Sequence, residues 1–143
     1  MDPVDEETPV GHALKRSVCA DTDVAFVVAF GSQLTDEATH RSDLDIAVKF
    51  AAELSARERF AKRCFLSGDL QQDDAPFVDL SDIETLPVDV AHDAVNGTFV
   101  CGDKRAFERF KADTEAAFAE QRDERRRQQR DMIDRIATEG LRG

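Results

Sequence analysis

The sequence predicts an α/β (α+β) fold: a small mixed β-sheet with helices on one face and a long C-terminal helix. Val24 to Phe30, VAFVVAF, is an apolar run of strand length, the pattern of a central strand buried on both faces. Asp43 to Phe50 alternates with period two, so Leu44, Ile46, Val48 and Phe50 share one face and Asp43, Asp45, Ala47 and Lys49 the other. From Asp103 onward, Phe107, Phe110, Thr114 and Phe118 recur every three or four residues, as on an amphipathic helix.

The remaining elements follow in chain order. Residues 1–9, MDPVDEETP, are acidic, contain two prolines and show no apolar periodicity, which predicts a flexible tail. Val10, Leu14 and Val18, with Ala13 and Ala20, fall at helical spacing over residues 10–20. Asp21-Thr22-Asp23 makes a turn into the first strand, and residues 32–42 form a polar connection, a helical turn and a loop, to the second. Ser55-Ala56-Arg57-Glu58 has the form of a capping box. The helix it opens is expected to run to about Ser67, bury Phe60, Ala61, Cys64 and Phe65, and stop at Gly68. After an exposed loop at Gln71–Asp74, Pro76 to Leu80 reads as a third strand with Val78 and Leu80 in the core and Asp79 on the other face. A further helix has Pro87 in its first turn and a left-handed stop at Asn96-Gly97, and Thr98 to Cys101 is a short strand. Glu120 to Asp131, EQRDERRRQQRD, is wholly polar before Met132, Ile133 and Ile136 return. One domain over residues 10–119 and a polar C-terminal helix or arm over 120–143 account for this pattern.

At 143 residues the chain has the length of one domain with a modest core. Thirty acidic against 19 basic residues give a net charge of −11, a field that repels nucleic acid, so no general nucleic-acid binding is expected. Five Lys against 14 Arg, and 19 Asp against 11 Glu, resemble the halophilic surface of cytoplasmic proteins from salt-loving organisms, where screening relieves self-repulsion. Cys19, Cys64 and Cys101 lack zinc-ligand spacing; an odd number without a secretory signal predicts reduced, buried thiols in a cytoplasmic protein. No apolar run approaches the ~18 residues of a membrane span. Trp and Tyr are absent, leaving ten Phe as the aromatic core.

Chemistry concentrates around the second strand. Asp43 and Asp45 stand on one face, and two like charges that close are costly without a cation. Two oxygen donors facing one space are what a hard divalent metal requires. Gly31-Ser32 lies where the first strand meets a helix start, a place where free N–H groups hold phosphate. Together they point to metal-assisted chemistry on a nucleoside triphosphate. Such chemistry commonly uses two divalent ions bridged by carboxylates, and Asp79 is the candidate third carboxylate, turned to the same side by strand alternation. Asp82 and Asp89 read as capping or surface acids. For Arg41 and Lys49, phosphate neutralisation and plain surface solvation fit equally. His12, His40 and His92 share no metal or triad spacing. The arginines of residues 122–130 are interrupted by Asp123 and Glu124 and lack aromatics, which favours a solvated helix face; a partner-docking arm through Met132, Ile133 and Ile136 is the second reading.

Gly31-Ser32, ten residues, then Asp43-x-Asp45 reproduces the GS-x10-D-x-D signature within fifteen residues. On it the chain resembles the DNA polymerase β nucleotidyltransferase superfamily, and in its shortness the minimal nucleotidyltransferases (MNT), which include the antitoxins of HEPN–MNT toxin–antitoxin systems. The resemblance implies a polymerase-β-type sheet, with Asp43, Asp45 and Asp79 as catalytic and metal-binding residues and Gly31 and Ser32 on the triphosphate. It further implies Mg²⁺ (two ions), ATP as substrate, and AMP transfer to a tyrosine of a partner HEPN-family toxin, as in a type VII-like antitoxin. Two alternatives stand beside it. One is a small-molecule acceptor, as in aminoglycoside nucleotidyltransferases, although those usually carry an additional helical domain. The other is an antitoxin that acts by binding alone.

Overall fold

The computed structural model describes residues 9–31, 44–72 and 78–140. In chain order these form helix α1 (Pro9–Ser17), strand β1 (Val24–Phe30), strand β2 (Leu44–Phe50), helix α2 (Ala56–Gln72), strand β3 (Val78–Asp82), a 3-10 turn (Ile83–Thr85), helix α3 (Val88–Val95), strand β4 (Thr98–Gly102) and helix α4 (Lys104–Gly140). The sequence predicts a tail over residues 1–9, but Pro9 opens α1; residues 1–8, the connection over 32–42, Asp43 and the start of the third strand at Pro76-Phe77 lie outside the described residues.

The sheet is mixed, in the order β3-β2-β1-β4. β1 pairs antiparallel with both β2 and β4, while β2 and β3 run parallel. As a central strand flanked on both sides, β1 has both faces to bury, and Phe26 to Ala29 are all fully buried. One face of the sheet carries Val27, Ala29, Ile46, Val48, Phe50, Val78 and Leu80 against Ala13, Leu14 and Val18 from the α1 region and Leu66 and Leu70 from α2. The opposite face carries Phe26, Val28 and Ala47 against Ile83, Ala94, Val95 and Phe107. Helices therefore stand behind the sheet as expected, and α3 with the first half of α4 also covers part of the front.

Phenylalanines supply the aromatic packing there: the Phe26 ring meets Phe107 at 5.4 Å and Phe110 at 5.8 Å, both edge-on. His92 of α3 stacks on Phe118 of α4 at 3.9 Å, binding the two helices together. α4 continues unbroken to Gly140, but from residue 122 onward every described position is exposed.

Three further expectations are corrected. Gly68 does not end α2, which runs on to Gln72, and Phe60, Ala61, Cys64 and Phe65 do not face the core. Phe60 and Phe65 are 62% and 65% exposed. The inward stripe is instead Arg59, Lys62, Leu66 and Leu70, spaced by three or four: the two leucines enter the core, and the two cations reach carboxylates at its margin. Second, Cys19 and Cys101 are bonded to each other rather than reduced. They are 82 residues apart in sequence, but the fold brings their Cα atoms to 6.1 Å, within bridging range. Cys64 is free and exposed rather than buried. Third, the stop at Asn96-Gly97 does not use a left-handed glycine: among the described glycines only Gly31 and Gly102 have positive φ. Gly97 is needed because a Cβ there would collide with the carbonyl oxygen of Ala29 and approach Phe30 Cβ at 2.9 Å.

The capping box forms in full. The Glu58 N–H donates to Ser55 Oγ at 3.1 Å and the Ser55 N–H to Glu58 Oε1 at 2.9 Å. The bond from the Ser55 N–H foremost, and the Ser55 hydroxyl after it, hold the Glu58 carboxyl below its usual range.

Candidate active site

The strand directions create the site. β1 leaves the sheet at the same end where β2 and β3 enter it, so Phe30, Asp45 and Asp79 stand in one row: Phe30 pairs with Asp45 and Asp45 with Asp79. Alternation places this row on the face opposite Ile46 and Leu80, so both carboxylates project from the front. Adjacent strands lie about 4.8 Å apart, which puts the two carboxylates within reach of one ion. Burial falls along the row: Phe30 packs partly into the front core, Asp45 is half-buried and Asp79 is exposed.

Gly31 closes the row on the β1 side. Its φ of +102° lies where side chains are strained, and a Cβ built there would collide with an Asp45 carboxylate oxygen. The backbone of Gly31 and the carboxylate of Asp45 thus occupy adjoining space, which only glycine permits. Of the five site residues expected from sequence, Gly31, Asp45 and Asp79 come together, while Ser32 and Asp43 lie outside the described residues. Among the described residues no group of three or more His, Cys, Asp or Glu is arranged to hold a metal; Asp45 and Asp79 furnish a pair. As a donor set, two anionic oxygen ligands on neighbouring strands, one of them solvent-facing, fit a hard divalent cation such as Mg²⁺.

The surroundings of the row are ionic. Lys49, two strand positions beyond Ala47, donates from Nζ to the Phe50 carbonyl at 2.8 Å and lies 3.6 Å from Glu84, so it is engaged away from the carboxylates. Asp82 is the acid that sequence reasoning undervalued. It is a capping residue as expected, accepting the Glu84 N–H at 3.0 Å, but it is also buried and takes Arg59 Nε at 2.8 Å. The Asp82 bond, joined by the Glu84 charge, raises the Arg59 pKa above its already high value. No local sequence pattern marks this pair, because the inward stripe of α2 opens with two cations, Arg59 and Lys62, ahead of Leu66 and Leu70. Among the described residues no helix is long and apolar enough to cross a membrane.

The comparisons with known proteins agree with this fold. Residues 13–106 match the family of polymerase beta nucleotidyltransferases, a span from α1 to the start of α4 that includes the whole row. No curated protein matches the sequence. Among solved structures, the chain is similar to one in a toxin–antitoxin crystal structure with AMP-PNP, at TM-score 0.62 and 22% identity over 87% of this chain and 96% of that one. It is similar also to a chain of the MntA–HepT toxin–antitoxin, at TM-score 0.60 and 21% identity over 87% and 97%. A third likeness is to a chain in a complex of a tri-AMPylated Shewanella oneidensis HEPN toxin with its MNT antitoxin, at TM-score 0.59 and 22% identity over 87% and 96%. At these identities the likeness is one of fold, whereas the family match spans most of the chain; this protein belongs to the polymerase β nucleotidyltransferase family.

Proposed function

We propose that this protein is a Mg²⁺-dependent nucleotidyltransferase that moves AMP from ATP to a tyrosine hydroxyl of a HEPN-family partner, and so acts as an antitoxin. The observation that carries the reading is the row at the end of the sheet, where Asp45 and Asp79 stand side by side against a Gly31 backbone that admits no side chain. The fold shared with MNT antitoxin chains supports the choice of partner, one such chain being in complex with an AMPylated HEPN toxin.

In this reading Asp43, Asp45 and Asp79 hold the ions, with Gly31 and Ser32 against the triphosphate. When bound, Mg²⁺ neutralises triphosphate charge and lowers the pKa of the attacking hydroxyl. Asp79, the most exposed of the row, faces the acceptor and takes its proton. The acceptor oxygen forms a bond to the α-phosphorus, the bond from that phosphorus to its bridging oxygen breaks, and pyrophosphate leaves. Half-burial of Asp45 keeps its carboxylate fixed, since a partly desolvated donor has little freedom to reorient.

The test is to incubate the protein with ATP labelled at the α-phosphate, Mg²⁺ and the product of the neighbouring gene, at high salt to suit the acidic surface. Label on the partner that disappears with Asp45→Asn is the expected result. A tight complex without label would make the chain a binding-only antitoxin. Neither label nor complex would send the search to small-molecule hydroxyl acceptors.

A further inference from the structure

β3 is an edge strand: it pairs with β2 on one side, and no described strand pairs with its outer edge. Such an edge presents unpaired N–H and C=O groups to any extended chain. Asp79 sits on this strand, so the edge runs directly past the proposed site of transfer.

At the other end of the same edge a groove of about 350 Å³ opens between β3 and α2, lined by Arg59, Phe60, Arg63, Ser81, Asp82 and Thr85. Its two sides differ in character. Arg59 is committed to Asp82 and Glu84, at 2.8 Å and 3.3 Å. Arg63 makes no ion pair among the described residues; its guanidinium lies over the exposed Phe60 ring at 5.2 Å from the centroid. A guanidinium stacked on an outward-facing aromatic ring, with no ion-pair partner among the described residues, complements an acidic side chain.

The register connects the groove to the site. Alternation puts a residue opposite Asp79 on the carboxylate face. It puts a residue three positions along, opposite Asp82, on the α2 face beside Phe60 and Arg63, about 10 Å away at about 3.3 Å per residue. We propose that the outer edge of β3 receives an extended, acidic segment of the acceptor protein as an added fifth strand. The acceptor hydroxyl then lies at Asp79, and a carboxylate three residues from it lies in the Phe60–Arg63 groove. Main-chain bonds along the edge supply affinity, and Arg63 supplies register. The inference rests on the transfer reading for what lies at Asp79 and on the edge and groove for the docking itself.

The experiment measures AMP transfer by the full chain over a range of concentrations of the acceptor protein, a HEPN-family partner. It is paired with amide hydrogen exchange of the complex. Arg63→Glu is expected to raise KM for the acceptor about tenfold or more, with kcat and the KM for ATP held. Phe65→Ala, on the same helix but outside the groove, leaves all three unchanged. Exchange is expected to slow at residues 78–82 when the acceptor binds. An unchanged acceptor KM in Arg63→Glu, or slowing confined to residues 120–140 of α4, would overturn the docking proposal. If Asp45→Asn still transfers AMP, or the wild type transfers none, the transfer reading fails instead; protection at residues 78–82 then decides the docking alone.

Discussion

The two faces of the sheet use the same strands and are finished differently. The back, under α1 and α2, is sealed from β3 to β1: Val27, Ala29, Ile46, Val48, Val78 and Leu80 are all buried. The front is sealed only over β1 and the middle of β2, where Phe26, Val28 and Ala47 meet Phe107 and α3, and it opens across Asp45 to Asp79. An apolar face stabilises in proportion to the area it buries, whereas a cluster of like charges costs stability until something binds it. Stability is therefore concentrated on the back and at the Phe26 end of the front, and the proposed chemistry where burial runs out.

The sharpest way to break that comparison is to remove the carboxylates. Asp45→Asn combined with Asp79→Asn should lower AMP transfer at least about a hundredfold, the scale of losing fixed electrostatic stabilisation, and leave the Tm equal or higher. A Tm that fell with the activity would mean the row helps to hold the fold. The complementary change is on the back. Leu66→Ala should cost about 2–5 kcal/mol in urea unfolding, because Leu66 is 1% exposed and its loss leaves a cavity. Phe60→Ala, one turn and a half earlier on the same helix, should stay within about 0.5 kcal/mol. Equal costs would return Phe60 to the core and undo the inward stripe of α2.

The sequence made the sealed parts legible in proportion to how well a single period described them. β1, β2 and the capping box could be read residue by residue, because alternation and Ser55-x-x-Glu58 are local patterns. α2 misled because its inner stripe begins with Arg59 and Lys62, and the period of three to four is visible only once their partners Asp82 and Asp21 are known. The Cys19–Cys101 bond was invisible for the same reason: contact across 82 residues is made by the sheet order, which places β4 at the edge beside the end of α1. For the site, alternation was enough to put Asp45 and Asp79 on one side. Their direct adjacency depended on the parallel register of β2 and β3, which no local pattern encodes.

Gly31 is where the two demands meet, since it ends a core strand and borders the carboxylates. Gly31→Ala adds a side chain at positive φ and pushes against Asp45, a strain of about 1–3 kcal/mol. Transfer should fall by a larger factor than the stability change alone explains, because the displaced group is the Asp45 carboxylate. Denaturant midpoints and transfer rates on the same preparations decide this. Proportionate losses would reduce Gly31 to a structural turn.

The back face is fastened at its margin by Lys62, which reaches Asp21 at 2.6 Å and Asp23 at 3.1 Å. Burial tends to raise the Asp21 pKa, but the bonds from Lys62 and the Asp23 N–H outweigh it and leave it lowered. The Lys62 pKa is raised, chiefly by its bond to Asp21. A lowered carboxylate contributes stability that is present above its unfolded value, about 3.9, and lost as pH falls through the folded one. A raised ammonium contributes stability present below about 10.4 and lost as pH climbs through its folded value. Between those limits the pair is constant. Solvent screening holds it under about 1 kcal/mol, so Lys62→Met should flatten the acid and alkaline limbs of a Tm–pH curve and barely move its plateau.

The smallest effect is expected from the largest deletion. Residues 122–140 extend α4 by about 28 Å at 1.5 Å per residue, and all of them are exposed, including Met132, Ile133 and Ile136 at 60–63%. Removing residues 122–143 takes away no buried side chain among the described residues, since the packing of α4 is made by Phe107, Phe110, Thr114 and Phe118. The truncated chain should unfold within about 0.5 kcal/mol of the full one at low protein concentration. A difference that grows with protein concentration would show the arm burying its three apolar side chains against a second copy, because binding only to the folded state stabilises by mass action. A difference independent of concentration would mean the arm packs on its own domain, and the uncovered part of the front face is where it would lie.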